Sequence, residues 1–472
     1  MRNIHAIALS VLLVLASCTY TKEPLRFHDG TFKIMQLTDI HWKTDTPGCD
    51  ATRTVVAEAV AAEHPDLIVV TGDVSQAVDA ERGWNEVLDM LDGTGVPYYV
   101  TMGNHDAEYL SKDKIYDLVE ARPGAVSDRG PSDIHGRGNA ALSILGKNGR
   151  PAAQVFCIDS NDYPADYLYS SYDWVRQDQI RWITKSSLGV PSVLFMHIAI
   201  PEMKEMVENE TWYGIREDAF GCSDVNSGLF AACVENGSFL GMFFGHDHNS
   251  NLIGLHHSMA LSYGRVTGAD AAGSLERGCR IVLLHEGSRR MESWTRTLSG
   301  KGPVFYYPFG DTDEHDSSLL WHESTAEKTG DMARGVRYDY FEGIFNSVAD
   351  MEGLPPVKSG TADGFDIGEA VSPDRFGFIF NALLEIDEDA EYRFYTFSDD
   401  GSVLYIDGIK VVDNDGPHSP AKKTGCIALR KGLHTIKAGF FEGLMGQELN
   451  IGYASREMEE RPIPAEKLFL PR

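Results

Sequence analysis

Five apolar segments of this chain end in the same way, and that repetition restricts its fold more than any other feature. Phe32–Leu37 runs into Thr38-Asp39-Ile40-His41, and Leu67–Thr71 runs into Gly72-Asp73. Tyr98–Met102 leads to Gly103-Asn104-His105-Asp106, Val193–Met196 to His197, and Leu240–Phe244 to Gly245-His246-Asp247-His248. In an open α/β sheet, ligands gather beyond the carboxyl ends of the strands, so five such edges can converge on one pocket. The groups delivered there are carboxylate, amide and imidazole with no thiolate, which suits Mn, Fe or Zn ions and argues against a structural zinc knot. A lone histidine after a strand is usually just a hydrogen-bonded polar residue. Five independent strand ends do not reduce to that. The glycines ahead of Asp73, Asn104 and His246 supply sharp turns that aim side chains back over the strand ends.

Helical periodicity fills the gaps between these strands, over residues 52–63, 81–91 and 172–186, with a further strand at 155–158. Near-continuous apolar strands separated by amphipathic helices predict an α/β unit, a sheet covered by helices on both faces. More strands from Leu261 to about Leu298 finish it, giving a domain over residues 31–300. Residues 301–330 are rich in Gly, Pro, Asp and Ser without a period and read as a linker. From 331 to 472 the texture changes to short alternating strands punctuated by Asp-Gly turns, for example Tyr392–Phe397 and Ser402–Ile406. That pattern predicts a separate all-β sandwich domain. A chain of 472 residues is long enough for two cores.

Acidic residues number 70 against 42 basic ones, a net charge of −28. A field of that sign repels phosphate backbones, so no nucleic acid is expected as a partner. A small phosphorylated substrate remains compatible, because bound metal ions reverse the sign locally.

At the N-terminus, Arg2 precedes an apolar run from Ile4 to Ala16, too short to span a bilayer well and typical of a signal peptide. Its ending, Leu15-Ala16-Ser17-Cys18, resembles the bacterial lipobox. The resemblance implies a signal peptide over 1–17, lipidation of Cys18, a polar tether over 18–30, and an exported lipoprotein, membrane-anchored in the periplasm or at the cell surface. An ordinary signal peptide containing a cysteine is the alternative. Cys49, Cys157, Cys222, Cys233, Cys279 and Cys426 form no Cys-x-x-Cys pattern. A pair such as Cys222 with Cys233 is open to oxidation, as is the reading of isolated buried thiols.

The strand-end motifs, in their order and spacing, resemble the calcineurin-like metallophosphoesterases. Phe32-Lys-Ile-Met-Gln-Leu-Thr-Asp-Ile-His41, Pro65-Asp-Leu-Ile-Val-Val-Thr-Gly-Asp73, His197-Ile-Ala-Ile-Pro-Glu202 and Val225-Asn-Ser-Gly228 are closest to the purple-acid-phosphatase-related branch of plants and yeast. The resemblance covers about residues 31–298 and implies a β-sandwich core flanked by helices. It also implies two metal sites. Asp39, His41, Asp73 and His248 would hold one divalent or mixed-valence ion; Asp73, Asn104, His197 and His246 would hold the other, with Asp73 bridging. Purple members carry a tyrosine three residues after the Asp73 position, where this chain has Gln76, so a colourless centre is expected. His105 sits over the substrate in the family and is expected as general acid or charge stabiliser, with Asp106 as its orienting partner. Asp247 is expected in turn or outer contacts.

Tyr167, Tyr169, Tyr172 and Trp174 cluster ahead of Trp182, which reads as core. Tyr169 and Tyr172 are candidates for the pocket border, and Glu202 and Trp212 lie in the loop after His197 where specificity residues are expected. In the C-terminal stretch, Tyr392 to Gly408, Val412-Asp-Asn-Asp-Gly416 and Gly432-Leu-His434 resemble the β-sandwich named for anthrax protective antigen. In lectin members of that family paired aspartates bind calcium and, through it, sugar hydroxyls. Here the pair is Asp399-Asp400, which is equally good hairpin-turn chemistry. The chain is therefore expected to be a lipid-anchored, two-metal phosphoesterase acting on a small phosphorylated substrate, with a glycan as a candidate partner. The rival readings are a nucleotidase or nucleotide-diphosphate-sugar hydrolase, and a surface glycan-binding lipoprotein with a vestigial phosphatase domain.

Overall fold

The computed structural model describes residues 23–327 and 332–471. The signal-peptide and Cys18 lipidation readings lie outside the described residues, as does the start of the 18–30 tether.

Two sheets stack face to face in the first domain. One runs, in spatial order, Asp311–Thr312, Phe305–Tyr307, Met291–Thr297, Gly278–His285, Thr31–Leu37, Leu67–Thr71, Tyr98–Thr101. The other runs Ala140–Leu145, Pro151–Cys157, Ser192–Phe195, Phe239–Phe244, Met259–Tyr263, Ile253–His256, Trp212–Tyr213. Ile34, Leu67, Val69 and Tyr99 of the first interleave with Val155, Phe195 and Phe243 of the second. Helices Pro47–Glu63, Ala80–Asp92 and Lys112–Glu120 cover the outer face of the first sheet, while Gln177–Ser186, Glu202–Asn209 and Leu229–Asn236 cover that of the second. This is the β-sandwich core flanked by helices that the resemblance implied; strand and helix periodicity alone read as one sheet with helices on both faces. Strands buried on both sides read alike in either arrangement, because each needs two apolar faces.

Local chemistry sets several element ends. Pro47 opens its helix at the first turn, where a missing N–H is harmless. Asp79 and Ser111 cap the next two helices by accepting the N–H groups of Arg82 and Lys114. The helix expected from Tyr172 starts only at Gln177, leaving Tyr172 in the preceding loop. The stretch after His197, expected as a loop, turns into the helix Glu202–Asn209, and Glu202 is buried, accepting from Asn226 Nδ2 at 2.9 Å.

The expected linker 301–330 carries ordered strands at both ends. Phe305–Tyr307 and Asp311–Thr312 extend the first sheet, and Trp321–His322 pairs with Ala421–Leu429 of the second domain. That domain is an all-β sandwich. Its sheets contain Phe376–Ile386 paired with Gly432–Glu442, and Ala390–Asp399 between Ala421–Leu429 and Glu448–Ser455. Phe376, Phe378, Phe380, Phe394, Phe440 and Tyr453 fill the space between them. Arg456 joins the domains, clasping Asp311 with Nη2 at 2.6 Å and Asp316 with Nη1 at 2.7 Å. All six cysteines among the described residues are free thiols, so the Cys222–Cys233 pairing is not formed.

Candidate metal centre

The five strand ends meet at one edge of the sandwich. Asp39, His41, Asp73 and His246 all have positive φ, between 46° and 76°. Non-glycine residues rarely hold that conformation, and where the fold imposes it on several neighbours a functional constraint is the usual reason. Close approach also decides the glycines: a Cβ on Gly103 would collide with Asp73 Oδ1.

The side chains fall into two groups of three, each with ligand-type atoms within 4.8 Å of one another: Asp39, His41 and His248; Asp73, His197 and His246. Asp73 links them, because its Oδ2 lies 3.6 Å from His41 Nε2 and 3.2 Å from His197 Nε2. Asn104 Oδ1 completes the second group at 3.2 Å from His197 Nε2.

The donor set suits cations. His197 Nδ1 donates to the Thr71 carbonyl at 2.8 Å, so the Nε2 of the neutral ring presents a lone pair. That lone pair faces His246 Nδ1 at 3.3 Å and Asn104 Oδ1, while His41 Nε2 faces His248 Nε2 at 3.0 Å. Where both members of such a pair present lone pairs, a cation between them satisfies both. Without a cation the neighbouring carboxylates hold a proton on His197 in its place: burial opposes the imidazolium, yet Asp73 and Asp39 push its value up to about 10. Burial and then the neighbouring His197 push His246 down to about 4. Burial opposes ionisation of Asp39, but the adjacent His248 and His41 rings, with His197 beyond them, hold its carboxyl well below the usual range.

The structure corrects the role expected for Asp106. Its carboxylate points away from His105 and accepts the backbone N–H groups of Asp73 at 2.9 Å, Val74 at 2.7 Å and Gly103 at 2.7 Å. It ties the two glycine loops together from below. The partner of His105 is Glu108, whose Oε1 lies 2.6 Å from His105 Nδ1. Glu108 was not singled out in the sequence, although the spacing of three along a tight turn was a usable signal. Asp247 is buried and accepts from Gly221 N at 3.1 Å.

Tyr163 was also missed. Its hydroxyl accepts from Asn104 Nδ2 at 2.8 Å, which leaves the amide oxygen facing the centre. Tyr172 lies edge-on to His246, ring centroids 4.6 Å apart. Trp182 packs on the core against Phe156, Trp174 stacks under the Arg176 guanidinium, and Trp212 sits in the short strand Trp212–Tyr213. Gln76 is half-buried, its backbone N–H bonded to the Trp42 carbonyl at 3.1 Å.

In the second domain Asp399 and Asp400 gather with Glu442, again with ligand-type oxygens within 4.8 Å. Glu442 is fully buried and neither of its carboxylate oxygens has a hydrogen-bond partner. Asp400 is engaged with the backbone, accepting from His418 N and Gly443 N at 2.9 Å each.

Comparison with known proteins agrees with this architecture. Residues 32–250 match the calcineurin-like phosphoesterase family, and residues 334–467 match the PA14 domain. The fold is that of a mixed α/β metallophosphoesterase domain followed by an all-β PA14-like domain, with a candidate dinuclear Asp/His metal site in the first. Two similar proteins of Arabidopsis thaliana are the probable inactive purple acid phosphatases 29 and 14. The first is 27% identical over 65% of this chain and 90% of its own length, the second 26% over 67% and 92%. A solved dimetal phosphatase of Danio rerio is 14% identical, covers 57% of this chain and 96% of its own, and superposes with a TM-score of 0.43.

Proposed function

We propose that the first domain hydrolyses a phosphoester using two divalent metal ions. The observation that carries this reading is the position of Asp73 Oδ2 between His41 and His197, within 3.6 Å of both ring nitrogens. Asp39, His41, His248 and Asp73 would hold one ion, and Asp73, Asn104, His197 and His246 the other. Ions bound there supply Lewis acidity toward phosphorus and acidify water. The remaining work belongs to the chain. Thr38 Oγ1 and the His246 N–H fix Asp39, at 2.7 and 3.0 Å, and Tyr163 fixes Asn104. The His105 ring stands at the mouth, 5.7 Å from the His41 ring and about one-third exposed. A carboxylate only accepts, so Glu108 keeps a proton on His105 Nδ1, and in the imidazolium form the Nε2–H is left to donate to the leaving oxygen.

The word inactive in the names of the Arabidopsis relatives does not carry over, because all seven ligand-type side chains are present here in a convergent geometry. With Gln76 in place of a tyrosine, the loaded centre should lack tyrosinate colour. The test is metal reconstitution with Mn, Fe or Zn followed by turnover of phosphomonoesters, phosphodiesters and pyrophosphates. Asp73→Asn should lose most of the metal and all measurable turnover; full occupancy with normal rate would overturn the assignment.

A second reading belongs to the PA14-like domain. Asp399, Asp400 and Glu442 would hold calcium and present it to glycan hydroxyls, supported by the two unpartnered oxygens of buried Glu442. Calorimetric calcium titration of the full chain and of Glu442→Gln tests it, and identical heats refute it. Lipid anchoring through Cys18 is likewise a proposal, which Cys18→Ser tests by membrane partitioning.

A further inference from the structure

Three tyrosine rings form a row from solvent to the metal centre. Tyr172 meets His246 edge to face, Tyr163 stacks on Tyr172 with centroids 6.1 Å apart and 25° between planes, and Tyr167 follows at 6.2 Å, tilted by 42°. The outer part of the row is bare: Tyr163 is 41% exposed, Tyr167 65%, Leu168 90% and Tyr169 68%. Soluble proteins rarely leave contiguous apolar surface like this at a pocket mouth without a ligand to cover it.

The loop beneath these rings is anchored. Asp173 N donates to the Asp162 carbonyl at 3.2 Å, and Asn161 Nδ2 to the Trp174 carbonyl at 2.9 Å. Lys112 Nζ holds Asp159 and Asp162, both at 2.8 Å, and Ser170 Oγ pairs with Ser223 Oγ at 3.0 Å while accepting from Asp224 N at 2.9 Å. The tip turns tightly, with Leu168 N donating to Asp166 Oδ1 at 2.9 Å. The exposed rings therefore stand on a braced base, a preformed stacking surface beside the reacting centre.

We propose that this row receives the base of a nucleotide substrate, with its phosphoryl group on the metal centre. This rests on the phosphoesterase reading above. Tyr163 and Tyr172 each touch a ligand residue, Asn104 and His246, whereas Tyr167 stands one ring further out, so an aromatic group set off from the phosphate by a sugar is the one placed to cover the exposed Tyr167. Stacking on tyrosine faces tolerates any base, so the row selects for a nucleoside and not for one sequence letter.

Adenosine 5′-monophosphate and glycerol 2-phosphate separate the two ideas, because both carry a phosphomonoester and only one carries a base. With the manganese-loaded protein, kcat/KM should favour the nucleotide about tenfold, chiefly through KM. Tyr167→Ala should remove about tenfold of that preference, the scale of one lost stacking contact. Glycerol phosphate should stay within about twofold, and Tyr167→Trp should restore the nucleotide preference. Equal effects on both substrates, or no effect on either, would overturn the proposal while leaving the phosphoesterase reading intact. If neither substrate turns over, calorimetric binding of the same two compounds to wild type and Tyr167→Ala decides: an unchanged nucleotide affinity refutes the stacking row.

Discussion

His105 Nδ1 and Glu108 Oε1 lie 2.6 Å apart, and this pair, not His105 with the adjacent Asp106, orients the ring at the mouth of the centre. A proton donor matters most when the leaving oxygen is basic. His105→Ala should therefore lower kcat by about 10²–10⁴ for an alkyl phosphate and far less for p-nitrophenyl phosphate. Glu108→Gln keeps the ring but weakens its orientation, so a loss of about tenfold on the alkyl ester is expected. Steady-state kinetics on the two esters check both, and an equal loss on each would remove His105 from the proton-transfer role.

Asp106 should behave as a structural carboxylate. It is buried and satisfies the N–H groups of Asp73, Val74 and Gly103. Asp106→Ala strands those three donors and should destabilise the first domain by about 2–5 kcal/mol. Urea unfolding reads the loss, and a change below about 0.5 kcal/mol would contradict the bracing role.

How much of this was legible depends on what each signal encodes. The strand ends bearing Asp39, Asp73, Asn104, His197 and His246 stood out because an apolar run followed at once by a polar donor fixes both position and exposure. Sandwich and single sheet were not separable by periodicity, since Val69 and Phe243 are buried in either. Asp106 misled because adjacency to His105 says nothing about direction: successive loop residues point apart. Tyr163 escaped notice because its importance lies in contacts with Asn104 and Tyr172, distant in sequence. The 301–330 stretch hid its strands because Phe305–Tyr307 and Asp311–Thr312 are too short to show alternation. Glu442 ends a long strand and meets Asp399 and Asp400 only through the fold.

The second domain carries a pH-dependent brace. His434 is buried; its Nδ1 donates to Asp407 Oδ2 at 2.6 Å and its Nε2 to the Arg430 carbonyl at 2.8 Å. Both ring nitrogens donate, so the ring is held as imidazolium. Burial opposes the charge, but the Asp407 hydrogen bond and the Arg430 carbonyl raise the His434 value above its ordinary 6.5. A raised histidine value contributes stability that is full below 6.5 and disappears as pH climbs through the folded value. Asp407, likewise buried against its own ionisation yet lowered from 3.8 chiefly by His434, contributes above that value and loses it in acid. Wild type should therefore exceed His434→Gln in stability most clearly near pH 5, with the gap narrowing toward pH 9. Urea midpoints at the two pH values check this, and a pH-independent gap would show that the pair is not charged.

Arg456 is the residue on which the docking of the two domains should depend most. Its guanidinium meets Asp311 and Asp316, donates to the Thr312 carbonyl at 2.9 Å and lies 4.8 Å over the Tyr306 ring, while Arg393 Nη2 reaches the Pro308 carbonyl at 3.1 Å nearby. A planar, bidentate group cannot be replaced there by a point charge, so Arg456→Lys should act more like a loss than a conservative change. Each sandwich has its own core and should keep its fold, because the residues filling them are separate. The expected outcome of Arg456→Ala is faster proteolytic cleavage between 312 and 335 and a larger radius in small-angle scattering, with secondary structure unchanged. If cleavage and radius match wild type, the clasp is incidental and the other cross-domain contacts, such as Arg393 with the Pro308 carbonyl and Ser288 with Glu459, hold the domains together.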